Sequence, residues 1–503
     1  MLSTAKATFI KNFSSHLLWQ IVTVVSGFIL PPLIISHYGS TVNGFLASSK
    51  HFIFYLSIVE AGIGAASIAA LYQPLADKDL LHRNRILGET RKLYRLSGTL
   101  FIAGLLILAA SYSWVTRTQI DSLLAFQIIL ILGITSLADF FFIGTYRVLL
   151  VADQKTYVYS LIQSVATLIN VAIAYWLIIH NHDVLTAQYS LIAATLIRIT
   201  LVYCYIRYAY RNLKFPADIP SPGSSTHITQ KREAFVQQLC LLAVYGAPIA
   251  YIVLFCSLKD ASIYAIYYLV FAALKMLLQS ISNGTQAVFG KLLAEQSTQV
   301  VRYHYHRYDT LFLIAAAGVF GCTSALLMPF IDLYTRNMTD AEYYQPVFAF
   351  IFLLASLADC LRLPGESLIQ AAGHFKATRN RYLLEAGLHI SITGVAAYFF
   401  GLQGVVTASL IVFGWRFMEI NSYIHQHILN LPLTLSLIKY LTVCTIAVLF
   451  AYGLNTYLAH YTIHSYIVWL SFAALCALAA ALLFLPLFRL LNRYVYRTIY
   501  QTE

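Results

Sequence analysis

The sequence predicts an all-α polytopic membrane protein of about 14 transmembrane helices, in two parallel-repeat six-helix lobes plus two C-terminal helices. Three observations carry this expectation. Of the 503 residues, 59% are hydrophobic and 11% charged, with a mean hydropathy of +0.70, which is too apolar for a surface that must face water. Uncharged runs of roughly 20 residues, the length needed to cross a hydrocarbon core, recur from one end to the other. Short motifs recur at a fixed offset of 220 residues.

The first apolar run, near 12–36, continues through Pro31 and Pro32 to Ile35. It exceeds a signal-peptide core and no small-residue cleavage site follows, so it reads as a retained helix. Further spans are expected near 42–72, 93–115, 121–150, 156–180 and 184–208, completing six in the first half. The second half gives spans near 234–257, 261–290, 308–333, 342–371, 377–400 and 403–425, then two more near 433–458 and 464–488.

The net charge of +12 is distributed by topology rather than gathered on one face, which argues against nucleic acid as a partner. Alternate connections are basic: Lys78, Arg83, Arg85, Arg91 and Lys92 fall in one, Lys376, Arg379 and Arg381 in another. The opposite connections carry only Arg117, Lys259 and Arg336. By the positive-inside rule both termini lie in the cytoplasm, in agreement with an even number of spans.

The longest polar stretch contains FPADIPSPGSS and has the composition of a flexible linker. It divides the chain into an N-lobe over 1–210, a cytoplasmic linker over 211–232, a C-lobe over 233–428, and two additional helices with a tail over 429–503. Ser136-Leu137-Ala138-Asp139 returns as Ser356-Leu357-Ala358-Asp359, and the same offset relates Gly64 to Gly284 and Ala152 to Ala372. The fourth span thus overlies the tenth and the second overlies the eighth, as in a parallel repeat with a cleft between its halves.

Ionisable residues deep in a span cost at least about 2.5 to 3.5 kcal/mol on insertion scales, so each needs a reason. Lys50 and Glu60 share the second span at a separation of roughly 15 Å, too far to pair directly. Lys275 occupies the eighth span at comparable depth. Two such cations facing a central cleft would attract phosphate or an acidic sugar. They equally suit a structural network in which lysines snorkel or balance Glu60. In the tenth span Asp359, Arg362 and Glu366 fall on one face at i, i+3, i+7, so both carboxylates can neutralise the arginine between them. One of those carboxylates, or Asp139 in the fourth span, would be the group to exchange H+ or Na+ if transport is ion-coupled. Arg198 stands alone in the sixth span and reads as facing a wet cavity, whereas Arg416 and Glu419 in the twelfth are spaced to pair. Gly62, Gly64, Asn283 and Gly284 mark places for bending or close packing.

The seven cysteines lie inside apolar segments without paired spacing and read as small buried hydrophobes. Three HxH pairs, His180/His182, His304/His306 and His425/His427, lie near span ends and read as solvated or at headgroup level, with no metal site. No P-loop, GxSxG or HExxH occurs. No cofactor is expected, and active transport would draw on an ion or cargo gradient.

The stretch IISHYGSTVNGFLASSKHFIFYLSIVEAGIGAAS resembles the opening of Wzx-type polysaccharide flippases, where a short YG-containing loop leads into a span ending in a Gly-rich segment. AAGHFKATRNRYLLEAGLHISITGVAAYFFGLQGVVTASLI is similar to the same family in its basic loop and its Gly401-Leu402-Gln403-Gly404 turn. With the two-lobe plan and two extra helices, the resemblance implies the multidrug/oligosaccharidyl-lipid/polysaccharide exporter superfamily. It implies a non-enzymatic, inner-membrane flippase that moves an undecaprenyl-diphosphate-linked oligosaccharide for O-antigen or capsule synthesis by alternating access of two lobes. Lys50, Arg198 and Lys275 would then line the cavity, and the partners would be the lipid-linked glycan, membrane lipids and other envelope polysaccharide biosynthesis proteins. A cation-coupled multidrug exporter of the same superfamily is the nearest alternative, requiring a cavity of carboxylates and aromatics. A membrane polymerase or glycosyltransferase is another, but the outside connections are short.

Overall fold

A computed structural model describes residues 2–60, 62–210, 213, 231–283 and 285–501. The expected linker at 211–232 and Gly284 lie almost wholly outside the described residues, Leu213, Lys231 and Arg232 excepted. Every regular element among them is helical: α1 (Leu2–Leu56), α2 (Ile63–Ala76), α3 (Leu80–Val115), α4 (Ser122–Ala138), α5 (Gly144–Ala152), α6 (Thr156–Ile179), α7 (Val184–Ala209), α8 (Lys231–Phe255), α9 (Leu258–Asn283), α10 (Thr285–Glu295), α11 (Thr298–Thr335), α12 (Pro346–Leu361), α13 (Leu363–Ala371), α14 (Phe375–Ile424), α15 (Thr434–Leu458) and α16 (Tyr466–Gln501), with short 3-10 and π turns between some of them.

Among the described residues, twelve helical stretches are long and apolar enough to cross a membrane. Two of them, Ile10–Leu56 and Phe375–Leu429, contain 47 and 55 residues, at least about 70 Å of helix against a core of about 30 Å, so each holds two crossings. Both are interrupted at a glycine: Gly39 has φ 86° and ψ 164°, and Gly401 has φ 58° and ψ −138°. Only a residue without Cβ adopts such angles at low cost. The two interruptions turn twelve stretches into fourteen crossings and place the expected first/second and eleventh/twelfth boundaries.

Other helices break where charge is buried. The second crossing passes from α1 through a 3-10 turn at Ser57–Glu60 to Gly62 in the left-handed region, φ 87°, before α2 begins. The fourth crossing contains a π turn at Asp139–Ile143 between α4 and α5. The tenth is divided at Arg362, between α12 and α13, next to Pro364, which has no N–H to continue the helical ladder. Aspartates 79, 121 and 183 accept the N-terminal amides of α3, α4 and α7, fixing where those helices start.

The chain forms two compact units. One contains 1–235 with 257–262, and the other contains 236–256 with 263–503. In the first, α6 packs on α1 and α7, and α3 on α4. In the second, α12 packs on α14, while α15 and α16 lie on α11. Leu313, Ile314 and Ala317 of α11 bury against Tyr440, Val443, Ala480 and Phe484, so the last two helices are part of the second unit rather than an appendage. Gly318 and Gly321 let Ala480 and Phe450 come close to the α11 backbone, the small-residue packing that lipid-embedded helices depend on.

Candidate functional site

The second unit is organised around a chain of alternating charges. Lys275 on α9 donates to Asp359 Oδ2 at 2.5 Å and to the Tyr245 hydroxyl at 2.6 Å. Tyr245, from α8, donates to Asp359 Oδ1 at 2.8 Å. Arg362 lies 2.8 Å from the same oxygen, 3.5 Å from Glu366, and is paired with Glu385. Glu385 also receives Arg416 at 3.0 Å, Arg416 pairs with Glu419, and Glu419 pairs with Arg381. Four cations thus meet four carboxylates, and the set is neutral. Arg362, Glu385 and Arg416 are at most 1% exposed, whereas Lys275 at one end retains 23%. In a low-dielectric setting, only such near-complete pairing makes buried ions tolerable.

The first unit carries a smaller neutral set. Glu60, at the 3-10 turn, pairs with Arg147 of α5 and accepts from the Tyr94 hydroxyl at 3.0 Å. Arg198 of α7 lies 3.4 Å from Asp139 Oδ2 and donates to Thr135 O at 3.0 Å and Gln163 Oε1 at 3.2 Å. Asp139 Oδ1 is buried without a hydrogen-bond partner. Asp139 thus keeps one acceptor oxygen without a hydrogen bond, as Glu366 Oε1 and Glu385 Oε2 do in the second unit, whereas both oxygens of Asp359 accept one.

Lys50 differs from all of these. It projects from the second crossing of α1, its side chain is exposed, and no acidic side chain among the described residues pairs with it. No other charge occurs between Lys11 and Lys50.

Of the two readings left open for Lys275, a cation facing a cleft or a member of a structural network, the pairing with Asp359 and Tyr245 agrees with the second. Two expectations need correction. Arg198 is neither isolated nor in a wet cavity: it is 6% exposed and tied to three groups. His306 and His425 are buried with rings 5.7 Å apart rather than solvated, although no group of three metal-ligating side chains forms among the described residues. The intrahelical readings agree with the geometry, since Arg362 does sit between Asp359 and Glu366, and Arg416 does meet Glu419.

Sequence reasoning missed Tyr94, Arg147, Tyr245, Arg381 and Glu385 as members of these networks, and a further buried pair, Asp309 with Lys439, to which Tyr440 donates at 2.8 Å. Arg381 reads with the basic connection, and Arg147, Asp309 and Lys439 lie toward the ends of their apolar runs, where depth gives no signal. Nothing in the sequence distinguishes Tyr245 among 36 tyrosines.

A separate apolar cavity of about 570 Å³ opens between α11, α12 and α15, lined by Leu313, Phe320, Leu353, Leu357 and Val448 among others.

No family model matches the chain, and no curated protein does. Solved structures do. A lipid II flippase, MurJ, in an inward closed conformation superposes with a TM-score of 0.66 at 12% identity, covering 94% of this chain and 98% of that one. An inward-facing multidrug resistance MATE family transporter of the MOP superfamily gives 0.59 at 12% identity, covering 82% and 98%. The MATE multidrug transporter DinF-BH gives 0.58 at 16% identity, covering 84% and 97%. The chain shares the fold of these three structures. In that fold the charge networks occupy helix breaks of the second, fourth and tenth crossings.

Proposed function

We propose that this protein is a flippase for a lipid-linked oligosaccharide, carrying an undecaprenyl-diphosphate-linked glycan across the inner membrane for envelope polysaccharide synthesis by alternating access. The observation that carries the reading is Lys50: an exposed lysine in a crossing whose other charge, Glu60, is already paired with Arg147, and with no carboxylate among the described residues to neutralise it. Every other deep cation described above is already paired, so Lys50 is the one that suits a diphosphate.

Two further observations support the lipid-linked class. The MurJ structure matches 94% of the chain, against 82% and 84% for the two MATE transporters. The apolar cavity between α11, α12 and α15 offers an isoprenoid tail a lining of its own polarity. Asp139 and Glu366, each beside an arginine yet keeping one buried oxygen without a hydrogen-bond partner, are the groups we assign to H+ or Na+ coupling, ahead of Glu60 and Asp359. Both termini are assigned to the cytoplasm from the basic connections. The multidrug-exporter reading draws on the MATE likeness and on the Glu60 and Asp139 carboxylates, which suit organic cations.

The deciding experiment removes the gene from its host and follows lipid-linked glycan on the cytoplasmic side, with complementation by Lys50→Arg and Lys50→Gln at matched membrane levels. Accumulation relieved by wild type and Lys50→Arg, but at least about tenfold less by Lys50→Gln, is expected. Unchanged glycan with altered drug sensitivity would replace the flippase reading by the exporter one.

A further inference from the structure

The first unit holds a small recess whose lining includes none of the charged side chains of its ion network. Its lining includes Arg91 of α3, Thr145 and Tyr146 of α5 and Tyr203 of α7, flanked by Phe142 and Ile199, around a volume of about 140 Å³. The lining supplies one fixed cation and three hydroxyls and contains no carboxylate. Arg207 lies beside it, donating from Nε to the Tyr203 hydroxyl at 3.0 Å with its guanidinium 5.3 Å from the ring centroid. Because the Tyr203 oxygen accepts that bond, its own proton is directed to a further acceptor. Tyr146 lies within electrostatic reach of Arg91, Tyr203 and Arg207 together.

The level of the recess along the helices is set by sequence. Helix α3 is basic from its start to Arg95, then carries no charge from 96 to 115. Arg91 therefore stands where α3 passes from headgroup to hydrocarbon, and Tyr203 and Arg207 lie in the last turns of α7. The flank is apolar, formed by Phe141, Phe142 and Ile199, and Phe142 is 57% exposed. An anion with several acceptor oxygens fits the donors, and an attached hydrocarbon chain fits the flanks.

We propose that this recess binds the phosphate of an anionic membrane phospholipid, with Arg91 as the fork-shaped ligand, Tyr146, Tyr203 and Thr145 as hydroxyl donors, and Arg207 as the residue that positions Tyr203. The site is independent of the cargo and of the flippase reading.

The test uses the purified full-length chain in detergent, followed by native mass spectrometry during titration with phosphatidylglycerol, phosphatidylcholine or inorganic phosphate. The expected result is retention of phosphatidylglycerol over phosphatidylcholine, weakened about tenfold by Arg91→Gln and less by Arg91→Lys, which keeps the charge but not the bidentate fork. Lys78→Gln, an exposed cation outside the recess, should leave binding unchanged. Arg207→Gln, on an exposed side chain, is expected to weaken binding in the same direction and serves if Arg91→Gln does not accumulate. Equal weakening by Lys78→Gln would mean diffuse attraction to a basic rim and would overturn the site. Displacement of the lipid by inorganic phosphate at equal concentration would assign the recess to a soluble anion and overturn the lipid proposal.

Discussion

Glu385 receives two arginines at once, Arg362 and Arg416, and has no exposed surface. Neutralising it leaves a net positive charge inside the second unit with no solvent to absorb it. Glu385→Gln is expected to destabilise the protein by about 3 to 5 kcal/mol, the range for breaking one partner of a buried pair, read as a loss of melting temperature in detergent. Arg381 is 36% exposed at the other end of the network, and Arg381→Gln should cost no more than about 1 kcal/mol. Equal losses from the two variants would mean that burial does not set their weight. The contrast between Lys50 and Arg198 is instructive at the same scale. Sequence placed both as cations deep in apolar helices, and depth alone made them equivalent cavity candidates. What separates them is a neighbour on another helix: Asp139 stands beside Arg198, and no acidic residue among those described pairs with Lys50. That distinction depends on which helices pack together, which a one-dimensional pattern of charge does not contain.

Helix breaks were partly legible. Gly401 was expected to mark a turn, and its backbone, at φ 58° and ψ −138°, does interrupt α14. The consequence for charge was readable too, though unread: Glu385 lies 16 residues before Gly401 and Arg416 lies 15 after it. A chain folding back at that glycine brings both to the same depth, about 24 Å along each arm, and they meet at 3.0 Å. By contrast, the π turn at Asp139–Ile143 and the division at Arg362 follow from tertiary pairing rather than from local sequence, apart from the proline at 364. The two kinds of glycine in α14 give a test with opposite signs. Gly401→Ala imposes a conformation that side chains avoid and is expected to cost about 1 to 3 kcal/mol. Gly414 has ordinary helical surroundings and nothing within 4 Å of an added Cβ, so Gly414→Ala should be neutral or stabilising by up to about 1 kcal/mol. Thermal melts of the two single variants check this, and a destabilising Gly414→Ala together with a harmless Gly401→Ala would refute the assignment of the break.

At the scale of the whole molecule, composition and the recurrence of apolar runs determined the class of protein, because crossing a bilayer requires length and apolarity that little else produces. How the last two helices attach to the second unit was not legible, since Asp309 and Lys439 each lie toward the end of an apolar run, where depth does not single out a charge. In the structure they form a pair with 3% and 4% side-chain exposure, linking α11 to α15, with Tyr440 completing the carboxylate. Around them the contact between α11, α15 and α16 is apolar, built from residues such as Leu313, Val443 and Phe484. In lipid such a surface gains little from leaving its solvent, so packing quality and the one ionic tie decide whether the helices stay docked. Asp309→Asn should therefore leave Lys439 as an uncompensated buried cation and loosen the attachment by about 3 to 5 kcal/mol. Hydrogen exchange resolved along the chain should show the loss within 434–458 and the facing part of α11, while the first unit is unchanged. Replacing both members, as Asp309→Leu with Lys439→Met, removes the charge along with its partner and should restore most of the protection. If the double variant exchanges as fast as Asp309→Asn, the attachment rests on the pair itself rather than on the packing around it. If neither variant alters exchange in α15, the pair contributes nothing to docking and the apolar contact alone holds the last two helices in place.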